Sequence, residues 1–331
     1  MKRRLQFTEM QTVPEEKGRV VGLIDQAIRS TNLPESNKHT YKYFYIRQSL
    51  LNERGVDVEH NDARRPLLII GGTSITLSDS REFLEYLLES GYEVVGIENP
   101  LGGPLDFRMN PARDRVSSLN ETLKFLKAEG VRHVDIIAQS YSAFEVIRTL
   151  SNTNAYKGFV KGIIFINPPG LNPDITFSGH IVRFLKDHLA KGFFKSVGAL
   201  FGFKTLPVES GAHEKSEYSR REIKGICRWT LKTFQNLARS LREVKDITSF
   251  QIIEPLQELK SVGYNINFFL HSEDQLVPVQ FSARIIRQIF PKYCIKMVPG
   301  GHNDLFFQKW QRGAFKNFLK EIRFSSDYKL R

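Results

Sequence analysis

From residue 65 onward, short apolar runs alternate with stretches of helical periodicity, and this alternation restricts the fold more than any other feature of the chain. "RPLLIIGGTS" (65 to 74) suits a buried strand entering a Gly-Gly turn, and "REFLEYLLESG" (81 to 91) suits a helix closed by glycine. "YEVVGIENP" (92 to 100) is the next strand and "RVSSLNETLKFLKAEG" (115 to 130) the next helix. "VDIIAQSYSAF" (134 to 144) passes from strand to helix almost without a loop, and "VKGIIFINPPG" (160 to 170) is again a strand. The pattern resumes with strands at 266 to 271 and 293 to 298 and helices at 283 to 290 and 305 to 322. Strands joined by helices of ten or more residues predict an α/β fold, a mostly parallel central sheet flanked by helices on both faces.

The break in this rhythm, residues 171 to 258, predicts an insertion into a core formed by 61 to 170 and 259 to 331. Residues 1 to 60 supply a helix at 20 to 30 and an early strand or hairpin within 40 to 51, packed on that core. With 331 residues and 41% hydrophobic content the chain can bury a sizeable core. No run approaches the roughly 20 apolar residues of a membrane span, and the basic N-terminus has no apolar segment behind it, so a soluble chain without a secretory signal is expected. Cys227 and Cys294 are too few for a disulfide framework or a zinc site, which fits a cytoplasmic location.

Ser140 stands at the abrupt corner after the strand at 134 to 138. A serine hydroxyl is a poor nucleophile until a base removes its proton, and the base works best when a carboxylate fixes its tautomer. In an open α/β sheet such a group should collect at the carboxyl ends of strands. Asp274 follows the strand at 266 to 271 and His302 follows the strand at 293 to 298, so both should reach the same edge as Ser140. Taken singly, each has a plainer role: Ser140 or Asp274 as a helix cap, and His302 as a turn residue. Glu273 and Asp174 are rival acids, Asp304 suits a cap of the helix after it, and His271 suits packing beside the acid.

In order and context these residues resemble the α/β-hydrolase superfamily. "AQSYS" stands where that family has the nucleophile elbow Gly-x-Ser-x-Gly, "SEDQLVP" resembles its acid loop, "GGHND" resembles its histidine loop, and Ser140, Asp274, His302 follow its chain order. Both elbow glycines are replaced, by Ala138 and Ser142, which remain small. The resemblance implies an oxyanion hole of two backbone N–H groups, that of Tyr141 and one from "GGTS" (71 to 74), assigned to Thr73; the Tyr141 side chain is a candidate pocket wall. It also implies that 171 to 258 forms a helical lid, and that neither metal nor organic cofactor is needed.

The insertion is both apolar and cationic. Ile181, Leu185, Leu189, Phe193, Val197 and Phe201 recur at four-residue steps, and "ICRWTLKTFQNLARSLREV" (226 to 244) is a second amphipathic stretch. Of a formal net charge of +12, residues 180 to 250 carry fourteen Lys and Arg against seven Asp and Glu, a net +7. Such a segment packs on the core, lines an acyl pocket or touches an anionic membrane surface. No nucleic-acid motif accompanies the charge, so no nucleic-acid partner is expected. The expected function is that of a serine esterase, lipase or thioesterase acting on a small-molecule or lipid-like acyl substrate. An acyltransferase, a C–C bond hydrolase and a non-catalytic ligand-binding relative are the alternatives.

Overall fold

The computed structural model describes residues 43–46, 65–72, 79–97, 111–171, 179, 243, 245–274 and 276–328. Seven strands form one sheet: β1 (Tyr43–Ile46), β2 (Leu67–Ile70), β3 (Val94–Ile97), β4 (Val134–Gln139), β5 (Val160–Ile166), β6 (Asn265–His271) and β7 (Ile295–Val298). Their spatial order is β1-β3-β2-β4-β5-β6-β7, with β1 antiparallel to β3 and every other pairing parallel. The expected mostly parallel sheet is therefore present, with the early strand as its antiparallel edge.

Period-two alternation sends the strand residues to two cores. Leu68, Ile70, Ile136, Ala138, Phe165 and Phe268 lie in one, packed under helices α2 (Pro111–Ala128), α3 (Ser142–Ser151), α4 (Ile253–Val262) and α5 (Val279–Ile289). Leu67, Ile69, Ile137, Ile164, Ile166 and Phe269 lie in the other, covered by α1 (Arg81–Glu89), the short α6 (Asp304–Phe307) and α7 (Lys309–Tyr328). Each of these side chains is at most 3% exposed, and burying one of the Leu, Ile or Phe side chains stabilises the fold by about 1.5–3 kcal/mol. Edge-to-face rings of Phe83 with Phe306 and Phe315 join α1 to α6 and α7.

The single helix expected at 305 to 322 is two. Gln308 is extended (φ −109°, ψ 123°) and separates α6, which drives Leu305 and Phe306 into the core, from α7, which returns with Phe315 and Phe318. The helix expected at 20 to 30 lies outside the described residues, as does most of the expected lid. Of the segment expected to form it, residues 245–249 are helical, and α4 begins at Ile253, ahead of the position 258 at which the expected insertion ends. Among the described residues, no helix is long and apolar enough to cross a membrane.

Strand order positions the site. The chain leaves β2 toward β3 and then crosses back to β4 on the opposite side, so the carboxyl ends of β2 and β4 diverge there, the usual place for a ligand crevice in such sheets.

Candidate active site

The β4–β5 ladder continues one residue beyond β4, since the Ser140 N–H donates to the Ile166 carbonyl at 2.8 Å. The backbone then turns sharply, with Ser140 at φ 55°, a left-handed conformation that costs a residue bearing Cβ roughly 1–3 kcal/mol. Helix α3 starts two residues later. Ala138 and Ser142, in place of two glycines, are both fully buried, and the Ser142 hydroxyl lies 2.7 Å from the Gln139 carbonyl and 3.0 Å from that of Ile70. The glycine that this corner requires is instead Gly72, after β2. A Cβ there would lie 2.9 Å from the Ser140 Cβ and 2.5 Å from Gln139 Oε1.

The structure brings Ser140, Asp274 and His302 together. His302 Nε2 lies 2.8 Å from Ser140 Oγ, and His302 Nδ1 lies 2.6 Å from Asp274 Oδ2. The other Asp274 oxygen accepts the N–H groups of Leu276 and Val277, each at 2.9 Å, so one carboxylate both caps its own loop and meets the histidine. With its side chain fully buried, Asp274 is held rigidly. Glu273 is exposed, and Asp174 lies outside the described residues.

Two neighbours escaped the sequence reading. Asn167, directly after β5, is left-handed at φ 46° and 1% exposed. Its Oδ1 accepts the His271 N–H at 2.9 Å, while its Nδ2 donates to the His302 carbonyl at 3.0 Å and to His271 Nδ1 at 2.7 Å. The only available signal was an asparagine at a strand end, since asparagine tolerates this conformation better than most residues. Gln139 is the second: its Oε1 accepts the Gly72 N–H at 2.7 Å and its Nε2 donates to Asn303 Oδ1 at 2.8 Å.

His271 is fully buried, and burial pushes its imidazole down to about 4, so it is neutral. Because its Nδ1 accepts from Asn167, its proton sits on Nε2. Asp304 opens α6, and its Oδ2 accepts the Gly301 N–H at 2.8 Å.

No family model matches the sequence, and neither does any curated protein. Solved structures do match. MGS-M2, an alpha/beta hydrolase enzyme from a Medee basin deep-sea metagenome library, aligns with TM-score 0.52 at 15% identity over 85% of this chain and 94% of that one. The chain has the α/β-hydrolase fold. A bromoperoxidase from Bacillus anthracis aligns with TM-score 0.55 at 17% identity over 85% of this chain and 96% of that one. A carboxylesterase of the ammonia-oxidizing thaumarchaeon Nitrososphaera gargenis gives 0.51 at 14% over 88% and 99%.

In this α/β-hydrolase fold the residue after Ser140 is gripped from the side remote from the corner. Tyr141 is 1% exposed, so its side chain walls no open pocket, contrary to expectation. Its hydroxyl donates to Asp246 Oδ2 at 2.5 Å, and Arg148 of α3 holds the same carboxylate with two bonds of 2.6 Å. The Arg115 guanidinium lies 5.0 Å from the ring centroid and pairs with Glu243 at 3.1 Å, with Glu145 3.7 Å away. Burial pushes the Glu145 carboxyl up to about 8, against the pull of Arg115. Among the described residues, no acceptor takes the Tyr141 N–H, which lies at the start of α3 where the helix dipole favours negative charge. Thr73 lies outside the described residues. No group of three or more His, Cys, Asp or Glu side chains among the described residues could hold a metal ion.

Proposed function

We propose that the protein is a serine hydrolase that cleaves a carboxylic ester or thioester with an apolar acyl part. The observation that carries this reading is the unbroken line from Ser140 Oγ through His302 to Asp274, with contacts of 2.8 and 2.6 Å, starting from a serine held at φ 55°. His302 Nε2 takes the Ser140 proton as Oγ attacks the carbonyl carbon, and the carbonyl electron pair moves onto oxygen. The N–H groups of Tyr141 and Thr73 are assigned to that oxyanion. As the intermediate collapses, His302 returns the proton to the leaving alkoxide or thiolate, leaving an acyl group on Ser140. Water, deprotonated by His302, attacks this ester and the cycle closes with Ser140 restored. Asp274 keeps the proton of neutral His302 on Nδ1 and stabilises the imidazolium. The preference for an apolar acyl part rests on the stripe of Ile181, Leu185, Leu189 and Phe193 in the insertion that the sequence predicts to cover the corner.

The test pairs a fluorophosphonate probe with hydrolysis of 4-nitrophenyl esters of graded chain length. Wild-type protein is expected to form one adduct on Ser140 and to release 4-nitrophenol, and Ser140→Ala to do neither, a loss of ~10⁴-fold or more. An unlabelled folded wild type, or unchanged hydrolysis in Ser140→Ala, overturns the assignment.

A further inference from the structure

We infer that Gln139 is a positioning residue that locks the loop carrying an oxyanion donor to the loop carrying the general base. The inference rests on the reading of Ser140 as nucleophile.

Gly72 follows β2 and Asn303 follows His302 beyond β7, while β4, β5 and β6 separate those two strands in the sheet. No ladder hydrogen bond can connect them. One carboxamide does: Gln139 Oε1 accepts the Gly72 N–H at 2.7 Å and Gln139 Nε2 donates to Asn303 Oδ1 at 2.8 Å, from a side chain that is 1% exposed. The orientation of this amide is fixed by chemistry, because a backbone N–H can only donate and must face the oxygen. Asn303 must then present its own oxygen to Nε2. The bridge therefore needs a side chain that accepts at one end and donates at the other, at glutamine's length.

The position adds weight. Gln139 is the residue before Ser140, so the same few atoms set the nucleophile, the β2 loop and the histidine loop relative to one another. The bond also commits the Gly72 N–H, so that amide is not the donor offered to the oxyanion. Loss of the bridge lets these two loops move independently while leaving the Ser140–His302–Asp274 contacts chemically intact. Misplacement on the scale of 1 Å in such an arrangement costs on the order of a hundredfold in rate.

The test measures ester hydrolysis and the rate of fluorophosphonate labelling in Gln139→Met, Asn303→Leu and the double variant, on the alkaline plateau of the pH profile, with folding checked by circular dichroism. Each single variant is expected to lower kcat by about ten- to a hundredfold with KM near wild type. The double variant should be no slower than Gln139→Met alone, because both changes break one bridge. Asn303→Asp, which still accepts from Nε2, should keep kcat near wild type. A folded Gln139→Met with wild-type kcat, an effect confined to KM, or strictly multiplicative losses in the double variant overturns the inference. If Gln139→Met fails to fold, Asn303→Leu decides, and unchanged turnover there overturns the inference. Wild-type protein that neither labels at Ser140 nor turns over removes the underlying assignment instead, so the two failures are told apart.

Discussion

The carboxamide of Asn167 holds the His302 carbonyl at 3.0 Å with the same nitrogen that lies 2.7 Å from His271 Nδ1. His302 is thus restrained twice, at its ring by Asp274 and at its backbone by the residue that follows β5.

Replacing Asn167 separates backbone preference from restraint. Asn167→Ala loses the hydrogen bonds and carries an ordinary side chain at φ 46°, whereas Asn167→Gly loses the bonds but accepts the conformation. Both are expected to lower kcat by about tenfold or more, with the glycine variant the more stable of the two by about 1 kcal/mol in urea unfolding. Wild-type turnover in Asn167→Gly would show that the restraint has no bearing on rate.

Asp274→Asn should keep the loop and lose the chemistry. The remaining oxygen can still accept from Leu276 and Val277, but an amide facing His302 Nδ1 selects the wrong tautomer. Hydrolysis is expected to fall by ~10³–10⁴-fold with little change in the melting temperature, whereas Asp274→Ala should lose both. Equal melting temperatures for the two variants would contradict the double role of this carboxylate.

Gly72→Ala places a methyl group 2.9 Å from the Ser140 Cβ, a contact that the rigid corner cannot relieve by rotating a side chain. The expected result is a folded protein whose labelling by fluorophosphonate slows by roughly a hundredfold. Labelling at the wild-type rate would mean that the β2 loop shifts without disturbing the serine.

Glu145 makes stability fall as pH rises from about 4.5 to about 8. Its carboxyl stands at about 8 when folded and at 4.5 in its ordinary state, so across that window the native chain holds a proton that the unfolded chain has released. Stability from this group is complete below about 4.5 and is lost as pH rises through about 8, with a slope of up to ~1.4 kcal/mol per pH unit. Urea unfolding from pH 5 to 9 should show this slope up to about pH 8 and a plateau above it in wild type, and neither in Glu145→Gln. Parallel curves would refute it.

The sheet, its edge strand and the convergence of Ser140, Asp274 and His302 were legible because they follow from local periodicity and from where strands end. Asn167 and Gln139 were not. Their partners lie 67 to 164 residues away in the chain, and neither spacing nor hydrophobic pattern records which polar groups will meet after folding. The break at Gln308 was hidden for a similar reason. Both sides of it carry helical periodicity, and the burial of Leu305 and Phe306, the latter against Phe83, is a tertiary contact that periodicity does not record. Tyr141 looked like a pocket wall because its partners, Asp246 and Arg115, approach from distant segments.

The grip of Asp246 and Glu243 on Tyr141, Arg148 and Arg115 marks a seam for protein engineering. Glu243 and Asp246 belong with the sheet, because Asp246 bonds the amino acid that follows the serine and Glu243 pairs with the Arg115 beside its ring. An insert taken from another protein should therefore be joined before Glu243. A junction placed after Phe250 would discard the carboxylates that fix Tyr141 and leave Arg115 buried without its closest counter-charge.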